Sequence, residues 1–313
     1  MILCESINVF GIGKRRVFLD WKSTLFFLED KMIVKNIVKS LKNSSVSNEE
    51  ILKYANLIYE ALKKVRKENP LAPSITNTVT INFVANAQLA SGGSAAMVYL
   101  PDEGEMMARI SKSMYINMGT QFTCYEETLP RTARACLECG NNWVLDPVGI
   151  GIGEQRTKIL SQFKEFKPKI IRANASEIIA LASLWGLVEK SENTVRGVDS
   201  TDEVSSAKDA AVALAKYTGG AVAVSGKTDL VTDGTTTFLC EGGSKYLPMI
   251  TGAGCSLGGV CAVYANVTTP FVAALTATFL YNAAAVIAEK KSRGPGSFMQ
   301  NFLDAVYEIS CAQ

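Results

Sequence analysis

In four segments of the chain, a short apolar run is followed directly by polar or glycine-rich residues. If such runs are strands of an open parallel sheet, these residues lie at the carboxyl ends of the strands, where ligands bind. The first segment, LDPVGIGIG at residues 145–153, places the carboxylate of Asp146 before three alternate glycines. Glycines let the backbone approach a ligand closely, and a carboxylate can support a metal ion. A glycine-rich turn has the same composition, so this segment alone is weak evidence for a phosphate or metal site.

The second and third segments supply a cation and a hydroxyl. In RANASE at residues 172–177, Arg172 is placed to meet a phosphate, while Asn174 and Glu177 have the spacing of a helix capping box. Glu177 can also face the same crevice and support a metal-bound water, and the two roles are compatible. Ser225 and Gly226 follow another apolar run, either as a simple turn or as a phosphate contact.

The fourth segment is the most specific. The sequence TGAGCSLGG at residues 251–259 opens a long apolar stretch. Small residues at a helix start expose successive N–H groups, and the helix dipole favours negative charge there. Cys255 lies in the predicted first turn, beside that anion site. The alternative is a glycine-rich turn with a buried cysteine.

Composition excludes several classes of protein. The chain of 313 residues has no histidine, which removes every mechanism with an imidazole base and every zinc site with histidine ligands. With 32 Lys and Arg against 30 Asp and Glu, no nucleic-acid partner is expected. Eight scattered cysteines predict reduced thiols in a cytoplasmic protein, and Cys136 and Cys139 are expected to be ordinary helix cysteines.

The order of elements predicts an α/β fold. Apolar runs at residues 78–81, 96–99, 113–117, 143–146, 169–172 and 221–225 alternate with helical patterns, which is typical of a mostly parallel sheet with helices on both faces. Period-2 alternation near residues 230–247 predicts a small edge hairpin. The apolar run at 270–288 is predicted to be a buried helix, not a membrane span. Residues 1–43 form an N-terminal extension of undecided structure, and residues 44–313 form the main domain.

Taken together, these segments resemble the hydroxyethylthiazole kinase family. The motifs TGAGC, LDPVGIG, IRANASEI, VSGKTDLVTDG, GVDS at 197–200 and GPGSF at 294–298 are similar to those of the family. So are the upstream sequences ITN at 75–77, NFVAN at 82–86, GGSAAM at 92–97 and NMGT at 117–120, in the same order. The resemblance extends from about residue 69 to residue 298, which is most of the chain.

The resemblance implies a ribokinase-like fold, usually a homotrimer with sites between subunits. It also implies phosphorylation of 4-methyl-5-(2-hydroxyethyl)thiazole by ATP and Mg²⁺, in thiamine biosynthesis or salvage. Four residues would line the thiazole pocket: Asn77, Met97, Gly119 and Gly252. Arg172 and Ser225 would contact the ATP phosphates, and Asp146 and Glu177 would support Mg²⁺ and its waters. Cys255 stands where most ribokinase-like enzymes have an aspartate base.

Some positions differ from the family pattern. Ala173 replaces a usual glycine, Ser225 replaces a common threonine, and Ala72-Pro73 stands where a histidine is often found. Two alternatives therefore stay open beside the thiazole kinase. One is a ribokinase-like kinase of another small alcohol, such as a pyrimidine or a sugar, although the cysteine in GAGC argues against it. The other is a non-catalytic small-molecule binder, although Asp146, Arg172 and Glu177 are all present.

Overall fold

The fold is described from a computed structural model, which covers residues 21–43, 45–189 and 203–311, with side chains from residue 31 and, in the third range, from residue 207. The GVDS motif at 197–200 lies outside the described residues. The strands are β1 (Leu41–Lys42), β2 (Leu71–Ile75), β3 (Ser94–Met97), β4 (Tyr115–Asn117), β5 (Val144–Asp146), β6 (Ile170–Asn174), β7 (Ala221–Ser225), β8 (Asp229–Thr232) and β9 (Thr237–Cys240).

Helices connect most of these strands, as the sequence pattern predicts. They are α1 (Trp21–Ser40), α2 (Asn48–Glu68), α3 (Ile81–Ala90), α4 (Pro101–Ile110), α5 (Tyr125–Glu138), α6 (Glu154–Phe166), α7 (Ala175–Leu184), α8 (Glu203–Thr218), α9 (Ala253–Ala265), α10 (Pro270–Lys291) and α11 (Pro295–Cys311). A single 3₁₀ turn, Leu247–Met249, precedes α9.

The strands form one mixed sheet in the order β1-β9-β8-β7-β6-β5-β4-β2-β3. Pairing is parallel from β3 through β2, β4, β5 and β6 to β7, and antiparallel from β7 through β8 and β9 to β1. The predicted mostly parallel sheet is therefore confirmed. β8 and β9 form the predicted hairpin, and the two-residue β1 covers its outer strand.

Helices cover both faces of the sheet because strand side chains alternate between two cores. Val144 and Ile170 belong to a cluster with α2, α3, α9, α10 and α11. Their neighbours Leu145 and Ile171 belong to a second cluster with α4, α5, α6, α7 and α8. This arrangement leaves the carboxyl ends of the parallel strands as the open crevice of the fold.

Helix α10 is a core helix, as the sequence predicts. Its length and hydropathy would suit a membrane span, but 83% of its apolar 18-residue stretch is buried inside the domain. It packs against α9, α11, α2 and the strand β7. Its apolar composition on all sides is that of a helix enclosed in a large core.

Two predicted strands were placed wrongly. Residues 78–81 are not a strand: β2 is Leu71–Ile75, residues 78–80 form a turn, and α3 begins at Ile81. Pro73 hides this strand from a sequence pattern, since proline lacks the N–H of a ladder bond. β2 pairs with β4 only at Ser74 and Ile75, so the ladder begins after the proline. The strand predicted at 96–99 lies two residues earlier, at Ser94–Met97.

The described end of the N-terminal segment packs on the main domain. Ile37 and Leu41 are buried, and Leu41 and Lys42 pair with Cys240 and Leu239 of β9. The Asn43 side chain also donates to the carbonyl of Thr237 at 2.6 Å. The domain boundary at residue 43 stays a prediction, but these contacts tie the residues just before it to the sheet.

We expect a chain that begins at Met32 to be as stable as the full chain, whereas one that begins at Asn43 loses part of its core. Removal of the buried Ile37 and Leu41 side chains is expected to lower the free energy of unfolding by about 2–4 kcal/mol. Chemical denaturation of the two truncated chains measures the difference. Equal stabilities would show that the packing of this segment on β9 contributes nothing.

Candidate active site

The predicted site residues meet at the carboxyl ends of the parallel strands. Asp146 ends β5, Ser225 ends β7, and Arg172 lies near the end of β6. Helix α9 approaches the same crevice with its N-terminus and carries Cys255 in its first turn. Each side chain is thus held by a regular element whose direction the sheet fixes.

The first turn of α9 has free N–H groups and no bulky side chain. Gly252, its N-cap, has φ 95° and makes no side-chain cap, and a Cβ added there would lie 3.1 Å from Thr80. The first helical N–H with an acceptor is that of Ser256, bonded to the Gly252 carbonyl at 2.8 Å. The N–H groups of residues 253–255 have no acceptor in the described part of the chain, so this turn is able to bind an anion.

Arg172 lies directly against this turn. A Cβ at Gly254 would be only 2.5 Å from Arg172 Nη1, so glycine makes room for the guanidinium. Nη1 lies 3.7 Å from Asp146 Oδ2, and Nη2 donates to Ser225 Oγ at 2.7 Å. Nε is buried and has no partner in the described part of the chain. A buried arginine with an unpaired donor at an anion site fits a phosphate group.

Asp146 is fully buried beneath Arg172. Its Oδ2 accepts from the Tyr115 hydroxyl at 3.0 Å, and its Oδ1 accepts from the Val148 N–H at 3.2 Å. Burial raises the pKa of Asp146 to about 6; the Arg172 charge opposes this shift and the Glu177 charge adds to it. Each carboxylate oxygen therefore accepts one hydrogen bond from the protein.

Glu177 completes the capping box predicted for α7. The Asn174 N–H donates to Glu177 Oε2 at 3.0 Å, and the Glu177 N–H donates to Asn174 Oδ1 at 2.9 Å. The other carboxylate oxygen, Oε1, accepts no hydrogen bond from the described residues. Ala173, which replaces a glycine that the sequence resemblance leads us to expect, lies in β6 without a positive φ, so the alanine is not strained.

Cys255 is half-buried, and its sulfur accepts a hydrogen bond from Asn77 Nδ2 at 3.4 Å. The Asn77 amide is oriented by the Thr80 N–H, which donates to its Oδ1 at 3.1 Å. Burial raises the pKa of the Cys255 thiol and the charge of Asp146 raises it further, while the neighbouring Thr80 side chain, the Arg172 charge and the Asn77 amide oppose the shift. The sequence alone does not determine the direction of this pKa shift; in the folded protein the pKa of the thiol is raised.

A hydrogen-bonded network joins the cysteine to the buried carboxylate. Asn77 Nδ2 also donates to Asn117 Oδ1 at 2.9 Å, and Asn117 Nδ2 donates to the Tyr115 hydroxyl at 2.9 Å. Tyr115 then donates to Asp146. Tyr115 and Asn117 were missed at the sequence level, where the one available signal was an amide at the end of an apolar strand.

The predicted thiazole-pocket residues divide into two groups. Asn77 and Gly119 are adjacent, since a Cβ at Gly119 would lie 2.6 Å from Asn77 Cβ, and Gly252 lies beside Thr80 in the same crevice. Met97 ends β3, the edge strand at the parallel end of the sheet, and its half-buried side chain packs against the core on the α9 side of the sheet. The structure therefore brings three of the four close to Cys255 and places Met97 at the edge.

Among the described residues, no group of three or more Asp, Glu, Cys or His side chains is able to hold a metal ion by itself. Two acidic groups act on Arg172 most strongly: Asp146, whose oxygens each accept one hydrogen bond from the protein, and Glu177, whose Oε1 accepts none from the described residues. Such a pair suits a cation that keeps most of its water ligands, as Mg²⁺ does.

Comparison with known proteins decides the family. A family model described as "Hydroxyethylthiazole kinase family" matches residues 62–312, about four fifths of the chain. The chain belongs to the hydroxyethylthiazole kinase family. It is 51% identical over 275 residues to the hydroxyethylthiazole kinase of Bifidobacterium longum subsp. infantis, covering 82% of this chain and 88% of that protein.

Solved structures agree with this assignment. A hydroxyethylthiazole kinase protein from Pyrococcus horikoshii is similar with a TM-score of 0.72 and 32% identity, over 81% of this chain and 93% of that one. A ribokinase-like superfamily protein from Enterococcus faecalis has a TM-score of 0.55 at 12% identity, over 88% of this chain and 94% of that one. The second likeness concerns the fold alone, and it agrees with the predicted ribokinase-like architecture.

Proposed function

We propose that this kinase transfers the γ-phosphoryl group of ATP to the hydroxyl of 4-methyl-5-(2-hydroxyethyl)thiazole, giving the thiazole phosphate for thiamine biosynthesis or salvage. One observation carries the proposal: Cys255 lies in the first turn of α9, whose free N–H groups face the same crevice as the buried Arg172. A proton acceptor beside an anion site is what phosphoryl transfer to an alcohol requires.

The phosphates of ATP are assigned to Arg172, Ser225 and the N-terminus of α9. Arg172 Nε is a buried donor without a partner, and the hydrogen bond to Ser225 Oγ holds the guanidinium in place. The free N–H groups of the helix stabilise the negative charge of the transferred group. In the transfer, the bond from the γ-phosphorus to the β–γ bridging oxygen breaks, a bond to the acceptor oxygen forms, and ADP leaves.

The acceptor alcohol is assigned to the pocket beside Cys255. Asn77, Gly119 and Gly252 line this part of the crevice, with Met97 at its edge. The hydroxyl proton passes to the sulfur of Cys255, which must first be deprotonated. Because burial raises the pKa of this thiol, turnover is expected to increase with pH.

Asp146 and Glu177 are assigned to Mg²⁺ and its water ligands. When bound, the metal ion neutralises charge on the phosphates. Glu177 Oε1 is free to accept from a metal-bound water, whereas Asp146 acts mainly through its charge and by holding Arg172.

An assay of ADP formation with ATP and Mg²⁺ tests the proposed function. The thiazole alcohol is compared with pyridoxal, hydroxymethylpyrimidine and ribose, and the product mass must increase by one phosphoryl group. We expect turnover to be highest with the thiazole alcohol. Faster turnover of a pyrimidine or a sugar would favour the second kinase hypothesis, and ATP binding without turnover of any alcohol would favour a non-catalytic binder.

We further propose that the enzyme is a cytoplasmic homotrimer whose pocket is completed by a neighbouring subunit. Support comes from Met97 on the edge strand β3 and from exposed apolar side chains near the same end of the sheet, including Val79 at 75% and Leu100 at 50% exposure. Light scattering and activity at decreasing protein concentration test the assembly. A uniform monomer with full specific activity would contradict it.

A further inference from the structure

Arg156 joins two loops that follow neighbouring strands. Its Nε donates to the Met118 carbonyl at 2.8 Å and its Nη2 donates to the Gly119 carbonyl at 2.6 Å. These two carbonyls belong to the loop after β4. Its Nη1 donates to the Ile152 carbonyl, in the loop after β5. All the hydrogen bonds described for this side chain therefore go to main-chain carbonyls.

The guanidinium also lies close to the glycine loop after β5. Gly149 has φ 77°, and a Cβ added there would meet Arg156 Cζ and Nε at 3.4 Å. The loop after Asp146 thus has a left-handed conformation that favours glycine at position 149, and its Ile152 carbonyl is bonded to Arg156. A side chain with only one donor group cannot bond both loops in this way.

The Met118–Gly119 peptide is fixed from both sides. Its carbonyl accepts from Arg156, and its N–H, that of Gly119, donates to Asn117 Oδ1 at 2.9 Å. The same Oδ1 accepts from Asn77, whose amide donates to Cys255 Sγ. A continuous series of contacts therefore runs from Arg156 to Cys255, through one peptide and two amides.

We propose that Arg156 is a positioning residue: it holds the loop after β4, and through it the Asn117–Asn77 pair, so that the acceptor alcohol is aligned beside Cys255. The inference rests on the proposed function, but the position of Cys255 can be tested without turnover. Arg156 contacts neither substrate directly in this scheme, and its effect is on the alcohol side of the crevice.

The test compares Arg156→Ala and the milder Arg156→Lys with Lys158→Ala. Lys158 is an exposed cation on the same helix with no hydrogen bond to either loop, so its replacement controls for loss of charge. We expect Arg156→Ala to lower kcat/KM for the thiazole alcohol by about 10- to 100-fold, while KM for ATP changes by less than about 3-fold. Arg156→Lys is expected to have a kcat/KM for the thiazole alcohol between those of Arg156→Ala and the parent. Lys158→Ala is expected to match the parent.

A second measurement is the alkylation rate of Cys255, read by peptide mass spectrometry with the exposed Cys139, at the far end of α5, as the internal reference. Release of Asn77 is expected to increase this rate several-fold in Arg156→Ala and not in Lys158→Ala.

A folded Arg156→Ala with parental kinetics and parental alkylation overturns the proposal, as does a rise in KM for ATP that exceeds the change for the alcohol. If Arg156→Ala does not fold, the same criteria apply to Arg156→Lys. If the parent does not phosphorylate the thiazole alcohol, the proposed function fails, and the alkylation rates still decide the role of Arg156.

Discussion

Replacing Glu177 by Gln is expected to lower kcat by about 10²-fold or more while α7 keeps its cap. The amide oxygen of Gln can still accept from the Asn174 N–H, as Glu177 Oε2 does at 3.0 Å. Only the negative charge is lost. If that charge supports Mg²⁺ and its waters at the phosphates, turnover falls although the protein is folded and ATP binds without metal nearly as before.

Two further variants separate the charge from the cap. Glu177→Ala removes both, and its additional cost in the free energy of unfolding is expected to be about 1 kcal/mol. Glu103 caps α4 in the same manner, accepting from the N–H groups of Tyr99 and Leu100, but it belongs to none of the site contacts. Glu103→Gln is the matched control and is expected to keep parental kcat. Asp146→Asn should lower kcat by the same order as Glu177→Gln. Full turnover in Glu177→Gln would mean that Glu177 is only a cap.

Much of the site was predictable from the sequence because the fold places it at strand ends. Asp146, Arg172 and Ser225 each close an apolar run, and parallel strands bring such residues to one crevice. Cys255 follows a glycine pair that opens an apolar helix, so its place in the first turn of that helix follows from local sequence. These inferences depend only on residues that are close together in the chain.

Contacts between distant segments were not predictable. The bond from Asn77 to Cys255 joins residues 178 positions apart, and the bonds from Arg156 reach back 37 and 38 positions to Gly119 and Met118. No periodicity encodes such pairs. The strand β2 was missed for a local reason, since Pro73 contradicts the usual composition of an inner strand and the pairing that tolerates it appears only in the sheet.

The sign of the Cys255 pKa shift was also beyond the sequence. A helix N-terminus lowers the pKa of a thiol, whereas burial raises it, and the balance depends on depth and on neighbouring charges. In the folded protein, the effects of burial and of the Asp146 charge on this pKa outweigh the opposing effects of Thr80, Arg172 and Asn77. The thiol is therefore protonated in most molecules at neutral pH.

This shift leads to the second large expected effect. Cys255→Ala should keep its fold and its ATP binding but lose on the order of 10- to 10³-fold in kcat, because only the proton acceptor is removed. Cys261, buried on the same helix, is the matched control for the loss of a thiol from α9. Cys261→Ala is expected to cost stability and leave kcat close to the parental value.

The pH dependence distinguishes a proton acceptor from a packing residue. A raised thiol pKa means that the parental kcat increases with pH through neutrality and above, as more of the thiolate forms. Asp at position 255 ionises at a lower pH, and Asn77 can donate to its carboxylate as it does to the sulfur. Cys255→Asp should therefore match or exceed the parent at pH 7, and its advantage should shrink as the pH rises.

Cys255→Ser, which keeps a polar group but does not ionise in this range, should be nearly as slow as Cys255→Ala. A parental rate in Cys255→Ala would make the thiol a packing residue, and a folded but inactive Cys255→Asp would show that the site requires a neutral group there.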